Sequence, residues 1–192
     1  MPTVDLYYNS AHSTSGTQYS MQNTATVNLG ESNSVGLLLQ GAWWKMNIDN
    51  LDASEVGDIN SAQIQFGAYG NAAGVVVYTT NLYQSDGTTG FTGMGQGNTM
   101  TFTTSDTSDF QDISMTAIAT SDGSTAWTHS DINNSIIQLW YVAATSGAPI
   151  MAVDYVRLRV DYDTAVTYQP LNTNLNILGG SLTMNGGTLN IT

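Results

Sequence analysis

Imidazole and thiol groups, the usual carriers of nucleophilic and acid–base catalysis, are scarce in this sequence. It contains two histidines, His12 and His129, and no cysteine. A serine or threonine nucleophile needs a base within reach, and neither histidine accompanies a Gly-x-Ser-x-Gly nucleophile elbow. His129 falls in a predicted turn between Trp127 and Asp131, where we expect a surface or capping role. The sequence therefore predicts a protein that is not an enzyme and that holds no cofactor.

Carboxylates are plentiful, and two spaced runs of them suggest a metal site. The runs are Asp49, Asp52, Glu55 and Asp58, and then Asp106, Asp109 and Asp112. Carboxylate oxygens suit Ca²⁺, but neither run has the spacing of an EF-hand loop or of the Gly-rich calcium nonapeptide. We interpret both as solvated acidic loops and expect no metal. A carboxylate pair for glycoside hydrolysis stays open, since any two of the 15 acidic residues could lie at the required separation.

Aromatic side chains are the remaining candidates for a binding surface. Trp43, Trp44, Trp127 and Trp140, together with ten tyrosines, could stack on sugars. Trp43 and Trp44 are adjacent in a predicted strand, so one points inward and its neighbour outward. The outward one is a candidate surface contact. The alternative is that these rings belong to the core or to a subunit interface, which is common for large aromatic residues.

Charge limits the possible partners. The chain of 192 residues has a formal net charge of −12, because 15 carboxylates face only Lys45, Arg157 and Arg159. Nucleic-acid binding requires a clustered basic face, so we expect neither nucleic acid nor an anionic membrane as a partner. Charged residues make up only 9% of the chain, against roughly 25% in typical soluble domains. Hydroxyl and amide groups must therefore cover much of the surface.

The ends and apolar stretches of the chain bear on its location. Residues 1–5 lack the basic start and apolar run of a secretory signal. No apolar stretch approaches the ~20 residues that cross a bilayer. The absence of cysteine is compatible with a reducing compartment. We expect synthesis in a cytoplasm without a signal peptide, and release by a route such as lysis.

Strand-like runs recur through residues 1–165, whereas helical periodicity is nearly absent. The runs are 3–8, 24–29, 35–48, 62–69, 75–83, 99–103, 113–119, 136–143 and 152–162. Turn sequences such as Asp86-Gly87 and Asp122-Gly123 separate them. Residues 52–56 could form a single helical turn, which is too short to change the fold class. The pattern predicts an all-β fold, a jelly-roll-like antiparallel β-sandwich over 1–165.

The last run gives the clearest alternation of apolar and polar residues. Val156, Leu158, Val160 and Tyr162 share one face, and Arg157, Arg159 and Asp161 share the other. Alternation with a period of two places one face in a core. We therefore predict a long sandwich strand here.

The composition changes in a C-terminal tail over residues 166–192. A unit of seven residues repeats there, with an apolar pair, Gly-Gly and then Ser or Thr. Paired glycines each cost ~1 kcal/mol in a helix, so we prefer short β pieces to a coiled coil. Such a strip cannot bury its apolar edge alone. We predict an oligomer interface, most simply a homotrimer or a neighbour's sheet edge, formed by Leu175, Ile177, Leu182, Met184, Leu189 and Ile191. The alternative is an unstructured Gly/Asn-rich terminus.

Three segments in this order resemble the β-sandwich (jelly-roll) domain of bacteriophage virion proteins of the decoration, head-fibre or tail-associated type. The segments are 43–66, 127–141 and 152–162. The Gly-rich tail is also similar to the intertwined β stalks of phage fibres. None of the segments is a catalytic signature, and the similarity is one of strand pattern.

The resemblance implies a structural virion protein, a capsid decoration or fibre subunit at the virion surface. Its partners would be copies of itself, the major capsid protein or other virion proteins, and possible host-surface glycans. Two alternatives remain, a carbohydrate-binding or adhesive surface module and the subunit of an extracellular filament. Binding to a defined glycan would favour the former, and open-ended polymers the latter.

Deleting residues 171–192 tests the role of the tail. We expect the sandwich to stay folded and the oligomeric state to fall, because the apolar tail residues would no longer join copies. Light scattering on the full-length chain and the truncation at matched concentrations measures this. A full-length chain that is already a monomer, unchanged by the deletion, would rule out the stalk.

Overall fold

A computed structural model of the chain describes residues 1–15, 18–19, 36–52, 54–103, 111–147 and 149–165. Its strands are β1 (Thr3–Ser15), β2 (Gln18–Tyr19), β3 (Gly36–Leu38), β4 (Trp43–Ile48), β5 (Val56–Gly70), β6 (Gly74–Tyr83), β7 (Gln96–Phe102), β8 (Gln111–Ser114), β9 (Ile136–Ser146) and β10 (Met151–Thr164). One short helix, α1 (His129–Asn133), precedes β9. All the strand pairs are antiparallel.

The strands form two layers that share β1. The front sheet has the order β7–β6–β9–β4–β1. In the back sheet β10 pairs with β5 along most of its length, and β5 pairs with β8. The other edge of β10 pairs with β3 and with the first half of β1. β1 therefore leaves the back sheet after Tyr7 and joins the front sheet from Tyr8 onward.

Alternation along the strands fills the space between the sheets. In β4, Trp44, Met46 and Ile48 are buried while the residues between them face outward. The edge of the Phe66 ring from the back sheet packs on Tyr78 from the front sheet, with centroids 5.1 Å apart. The predicted inward row of β10 is also found, since Val156, Leu158 and Val160 are buried. The jelly-roll-like antiparallel β-sandwich is confirmed.

Some local predictions need correction, and others lie beyond the described residues. The run 35–48 is broken into β3 and β4 by a turn at Gly41, which has a φ of 84°. At 52–56, a hydrogen bond from the Glu55 N–H to the Asp52 carbonyl closes a single turn at 3.3 Å, and β5 begins at Val56, so the described residues of this segment form a turn and not a helix. Helix α1 was missed, although Thr128 and Asp131 form a capping box at its start. The run 24–29 and the tail lie outside the described residues.

The outward row of β10 forms a hydrogen-bonded belt on the back sheet. Arg159 binds both carboxylate oxygens of Asp5, at 2.7 and 2.8 Å. Arg157 lies 3.0 Å from the same carboxylate and donates to Gln65 at 2.8 Å. Asp5 thereby raises the pKa of Arg159. Both arginines are committed to neighbouring strands and are not available as a basic patch for a polyanion.

A buried carboxylate interrupts the pairing of β10 with β5. The register shifts between Val153 and Tyr155, so that Asp154 lies in a bulge. Asp154 is 1% exposed, and among the described residues neither of its oxygens has a hydrogen-bond partner. Burial without a partner disfavours the charged form and raises the pKa of Asp154 to about 6.

Helices contribute little to this fold. Within the described ranges, none is both long and apolar enough to span a bilayer.

The buried carboxyl group of Asp154 in the bulge predicts how the stability of the fold depends on pH. Asp154 titrates higher in the folded chain than in the unfolded one, so its stabilising contribution is complete below about pH 4 and is lost as the pH rises through 6. We expect the unfolding free energy of Asp154→Asn, relative to the native chain, to increase by about 2 kcal/mol between about pH 4 and pH 7. Urea unfolding at each pH measures this. A difference that does not change with pH would contradict the prediction.

Candidate functional site on the front sheet

The outer face of the front sheet carries three parallel rows of side chains from β4, β9 and β6. The registers place Trp43, Trp140 and Thr79 in the first row, Lys45, Gln138 and Asn81 in the second, and Asn47, Ile136 and Tyr83 in the third. Directly paired residues on one face have Cβ atoms about 5 Å apart. The rows therefore bring together side chains that are distant in the sequence.

Two tryptophans form an aromatic platform in the first row. Trp43 and Trp140 are directly opposite each other on β4 and β9. Trp140 is 37% exposed, an unusual exposure for so large a ring in this chain, and Trp43 is half-buried. Trp44 is completely buried. Of the two residues predicted as possible surface contacts, only Trp43 therefore faces outward. Trp140 was named among the tryptophans that could stack on sugars but was not chosen as a surface contact, although its place between Leu139 and Tyr141 indicates an outward direction.

Lys45 lies next to the platform and is held in place by aromatic rings. Its ammonium group is 4.1 Å from the centroid of the Tyr83 ring and 5.4 Å from that of Trp43. It also donates a hydrogen bond to the Gly87 carbonyl. The Tyr83 hydroxyl lies 3.1 Å from Gln138 Oε1. Cation–π contacts of this kind fix the side chain beside the rings, so the second row is rigid and polar.

Charge is distributed unevenly between the two sheets. The back-sheet strands contain acidic residues such as Asp5, Asp58, Asp112 and Asp154, whereas no residue paired within the front sheet is an Asp or Glu. Lys45 is the one formally charged residue in those front-sheet segments. In a chain of net charge −12, the paired strand residues of the front sheet thus carry a single formal charge. Such a face suits an uncharged ligand that offers hydroxyl groups.

A turn over residues 84–89, here named the Asp86 hairpin, folds over this face. Asp86 Oδ1 accepts from the N–H groups of Thr88 and Thr89, both at 2.8 Å, and Oδ2 accepts from the Thr89 hydroxyl at 2.6 Å. These bonds hold the pKa of Asp86 well below its usual range. Gly87 has a φ of 65° and lies against His12, so its positive φ and the close approach favour glycine here.

The two histidines do not meet. His129 Nε2 lies 3.0 Å from the Val56 carbonyl oxygen and ties α1 to β5, which agrees with a structural role. His12 is exposed on β1 beside the Asp86 hairpin. Trp127 is buried, and its Nε1 donates to the Ile118 carbonyl at 2.8 Å. It therefore belongs to the core.

The carboxylates of the two acidic runs have different hydrogen-bond partners. Asp52 accepts hydrogen bonds from Ser54, which lowers the pKa of its carboxyl group. Asp112 accepts a hydrogen bond from the Tyr155 hydroxyl, while Asp106 and Asp109 lie outside the described residues. In the described part of the chain, no three His, Asp or Glu side chains converge as a metal site would require. The six predicted interface residues of the tail are likewise outside the described part.

Comparison with known proteins adds a distant structural similarity. No protein-family model matches the sequence, and no curated protein is detectably similar to it. Among solved structures, the chain is similar to the C-terminal CBM6 of LamC, a marine laminarinase from Zobellia galactanivorans. The identity is 10% and the TM-score 0.41, over 82% of this chain and 98% of the other. A similarity at this level assigns neither a ligand nor a binding face to the chain.

Replacing Asp86 tests how the hairpin is held. We expect Asp86→Ala to speed amide hydrogen exchange at Thr88 and Thr89, because their N–H groups lose their acceptor, while the sandwich stays folded. The native protection should persist at about pH 4, since the lowered pKa keeps the carboxylate ionised there.

Asp122→Ala is the matched control, because Asp122 accepts from Ser124 and Thr125 in a second Asp-Gly turn. It should affect exchange at those two residues alone. Unchanged exchange at Thr88 and Thr89 in Asp86→Ala would show that the carboxylate does not hold the hairpin.

Proposed function

We propose that this chain is a non-catalytic binding module that holds uncharged glycans on the aromatic platform of the front sheet. The observation that supports this most directly is the pairing of Trp43 with the exposed Trp140. A sugar ring has one face of C–H groups, which packs on the electron-rich face of an indole. Its hydroxyl groups project sideways and need hydrogen-bonding partners.

The rows beside the platform supply such partners. Thr79 continues the row of tryptophans, and Gln138 and Asn81 form the next row. Amide side chains both donate and accept hydrogen bonds, as the hydroxyl groups of a sugar do. Binding sites that combine apolar or aromatic walls with a few fixed polar groups are the common pattern for small ligands.

Other ligand classes fit this face less well. Phosphate groups require clustered cations, and the one lysine of the face is already bonded to Gly87 and packed on Tyr83. A protein partner could also use exposed tryptophans. The amide and hydroxyl composition of the neighbouring rows, and their lack of carboxylates, favours a glycan.

We propose as a second role that the tail joins several copies, most simply three, into a decoration or fibre subunit at a virion surface. The seven-residue repeat with paired glycines supports this, together with the resemblance to phage virion domains. The two roles are compatible, because an oligomer would present several platforms at once. Linked sites can bind about 10²–10⁴ times more tightly than one alone, which suits an adhesive fibre.

Trp140→Ala tests the glycan site. We expect its affinity for a binding hexasaccharide to fall at least about tenfold, since loss of a central aromatic anchor typically costs about 2 kcal/mol. Trp140→Tyr should retain most of the affinity, because a ring remains. Calorimetry with linear glucan, mannan, galactan and xylan hexasaccharides provides the measurement.

Thr145→Ala is the control, since Thr145 is exposed on the same strand and lies away from the platform. It should bind like the native chain. If none of the hexasaccharides binds the native chain, or if Trp140→Ala binds as well as Thr145→Ala, the proposed platform is wrong.

A further inference from the structure

A second concave site lies at the far end of the same face. It has a volume of about 300 Å³, at the small end of the range for ligand pockets. Four separate stretches of the chain contribute to its walls: β1, the end of β4 with the residues just after it, the Asp86 hairpin, and residues 133–136 around the turn after α1. The side chains that matter most are Asn9, His12, Asn47, Ser85, Asn133 and Asn134. We name this site the amide pocket.

The amide groups of the pocket are held by the protein itself. Asn133 Oδ1 accepts from the Leu51 N–H at 2.6 Å, and its Nδ2 donates to the Leu51 carbonyl. Asn9 Nδ2 donates to the Ile48 carbonyl at 2.8 Å. Asn134 Nδ2 donates to the Ser130 carbonyl at 2.9 Å. Polar groups fixed in this way are positioned before a ligand arrives, which lowers the entropic cost of binding.

The remaining hydrogen-bonding capacity includes acceptors as well as donors. Asn47 Nδ2 donates to the Ser10 hydroxyl at 3.1 Å. Among the described residues, no donor reaches Oδ1 of Asn47 or of Asn134. Each of these oxygens can accept from a ligand hydroxyl, and the exposed Ser85 hydroxyl can donate or accept.

The charge of the lining selects the class of ligand. None of the residues lining the pocket is an Asp, Glu, Lys or Arg, although the chain as a whole carries 15 carboxylates. A hard cation prefers carboxylate oxygens, and an anion prefers cations or several convergent N–H donors. An uncharged molecule with several hydroxyl groups fits the acceptors that are present.

The pocket is distinct from the aromatic platform. Trp43 and Asn47 are four residues apart on β4, or about 13 Å. Between them lies Lys45, whose ammonium group binds the Gly87 carbonyl of the Asp86 hairpin. Gly87 is buried at this contact. The hairpin therefore stands over the middle row and contributes Ser85 to the pocket on its far side.

We propose that the amide pocket is a second binding site that takes one uncharged sugar ring, either free or at the end of a glycan chain. The inference rests on the proposed function for the class of ligand, and it adds a site that the platform does not need. A ligand of about a dozen non-hydrogen atoms would bind with a Kd in the millimolar range.

Methyl glycosides of glucose, galactose, mannose and xylose are the probes for a single ring. Saturation-transfer NMR and a chemical-shift titration would detect them on the native chain. We expect one of them to bind, and to bind equally to Trp140→Ala. Asn47→Ala, which removes an acceptor, and Ser85→Phe, which fills the pocket from an exposed position, should each weaken binding at least about tenfold. Thermal unfolding of both variants confirms that they are folded.

Chain ends and free rings are distinguished with linear oligosaccharides and their polymer. If the pocket takes chain ends, the amount of Trp140→Ala that one gram of glycan binds should fall as chain length increases, because longer chains have fewer ends per gram. If it takes only free rings, the methyl glycosides bind and the oligosaccharides do not bind this variant. Either result supports the site.

Two outcomes would overturn the inference. In the first, no methyl glycoside binds the native chain at tens of millimolar, whereas hexasaccharides bind it and lose affinity in Trp140→Ala. That result would support the platform and rule out the pocket. The other is that a methyl glycoside binds but is lost in Trp140→Ala and retained in Asn47→Ala and Ser85→Phe, which places the ring on the platform. Failure of every hexasaccharide to bind would instead count against the proposed function.

Discussion

The passage of β1 from one sheet to the other is the constraint on which the rest of the structure depends. Its first half pairs with β10 and its second half with β4, so one continuous strand fixes the position of both layers. Asp5 on the first half forms ion pairs with both arginines of the back sheet. His12 on the second half meets the Asp86 hairpin. Because a strand has a side-chain period of two, a slip in either half would reverse the facing of every residue in it.

The separation of charge between the two sheets follows from this arrangement. The back sheet neutralises part of its acidity with the Asp5–arginine cluster, while the front sheet avoids carboxylates and leaves its outer face to amides, hydroxyls and two indoles. An uncharged face on an acidic protein does not attract polyanions, and it does not repel neutral ligands. The aromatic platform and the amide pocket both lie on this face, on the two sides of the Lys45–Gly87 contact.

Most of the fold and part of the candidate site could be predicted from the sequence. Alternation in β10 predicted that Val156, Leu158 and Val160 enter the core, because burial on one face leaves a period of two in the sequence. The break at Gly41 was missed, since apolar residues continue on both sides of the turn. Helix α1 was missed because it has only five residues, too few to show a helical period. The sequence could show that one of Trp43 and Trp44 faces outward but not which one, and the pairing of Trp43 with Trp140 depends on the register between β4 and β9. That register, and the path of the hairpin across the face, are long-range properties that local patterns do not encode.

The placement of the three basic residues has a consequence for proteolysis. Trypsin-like proteases cut after lysine or arginine, and the whole chain offers them only Lys45, Arg157 and Arg159. Each of these residues lies in a strand that is paired on both sides, between β1 and β9 or between β1 and β5. A protease must bind an extended, unpaired segment, so cleavage would require the strands to separate. The scarcity of basic residues thus leaves this class of protease without an accessible site in the folded chain.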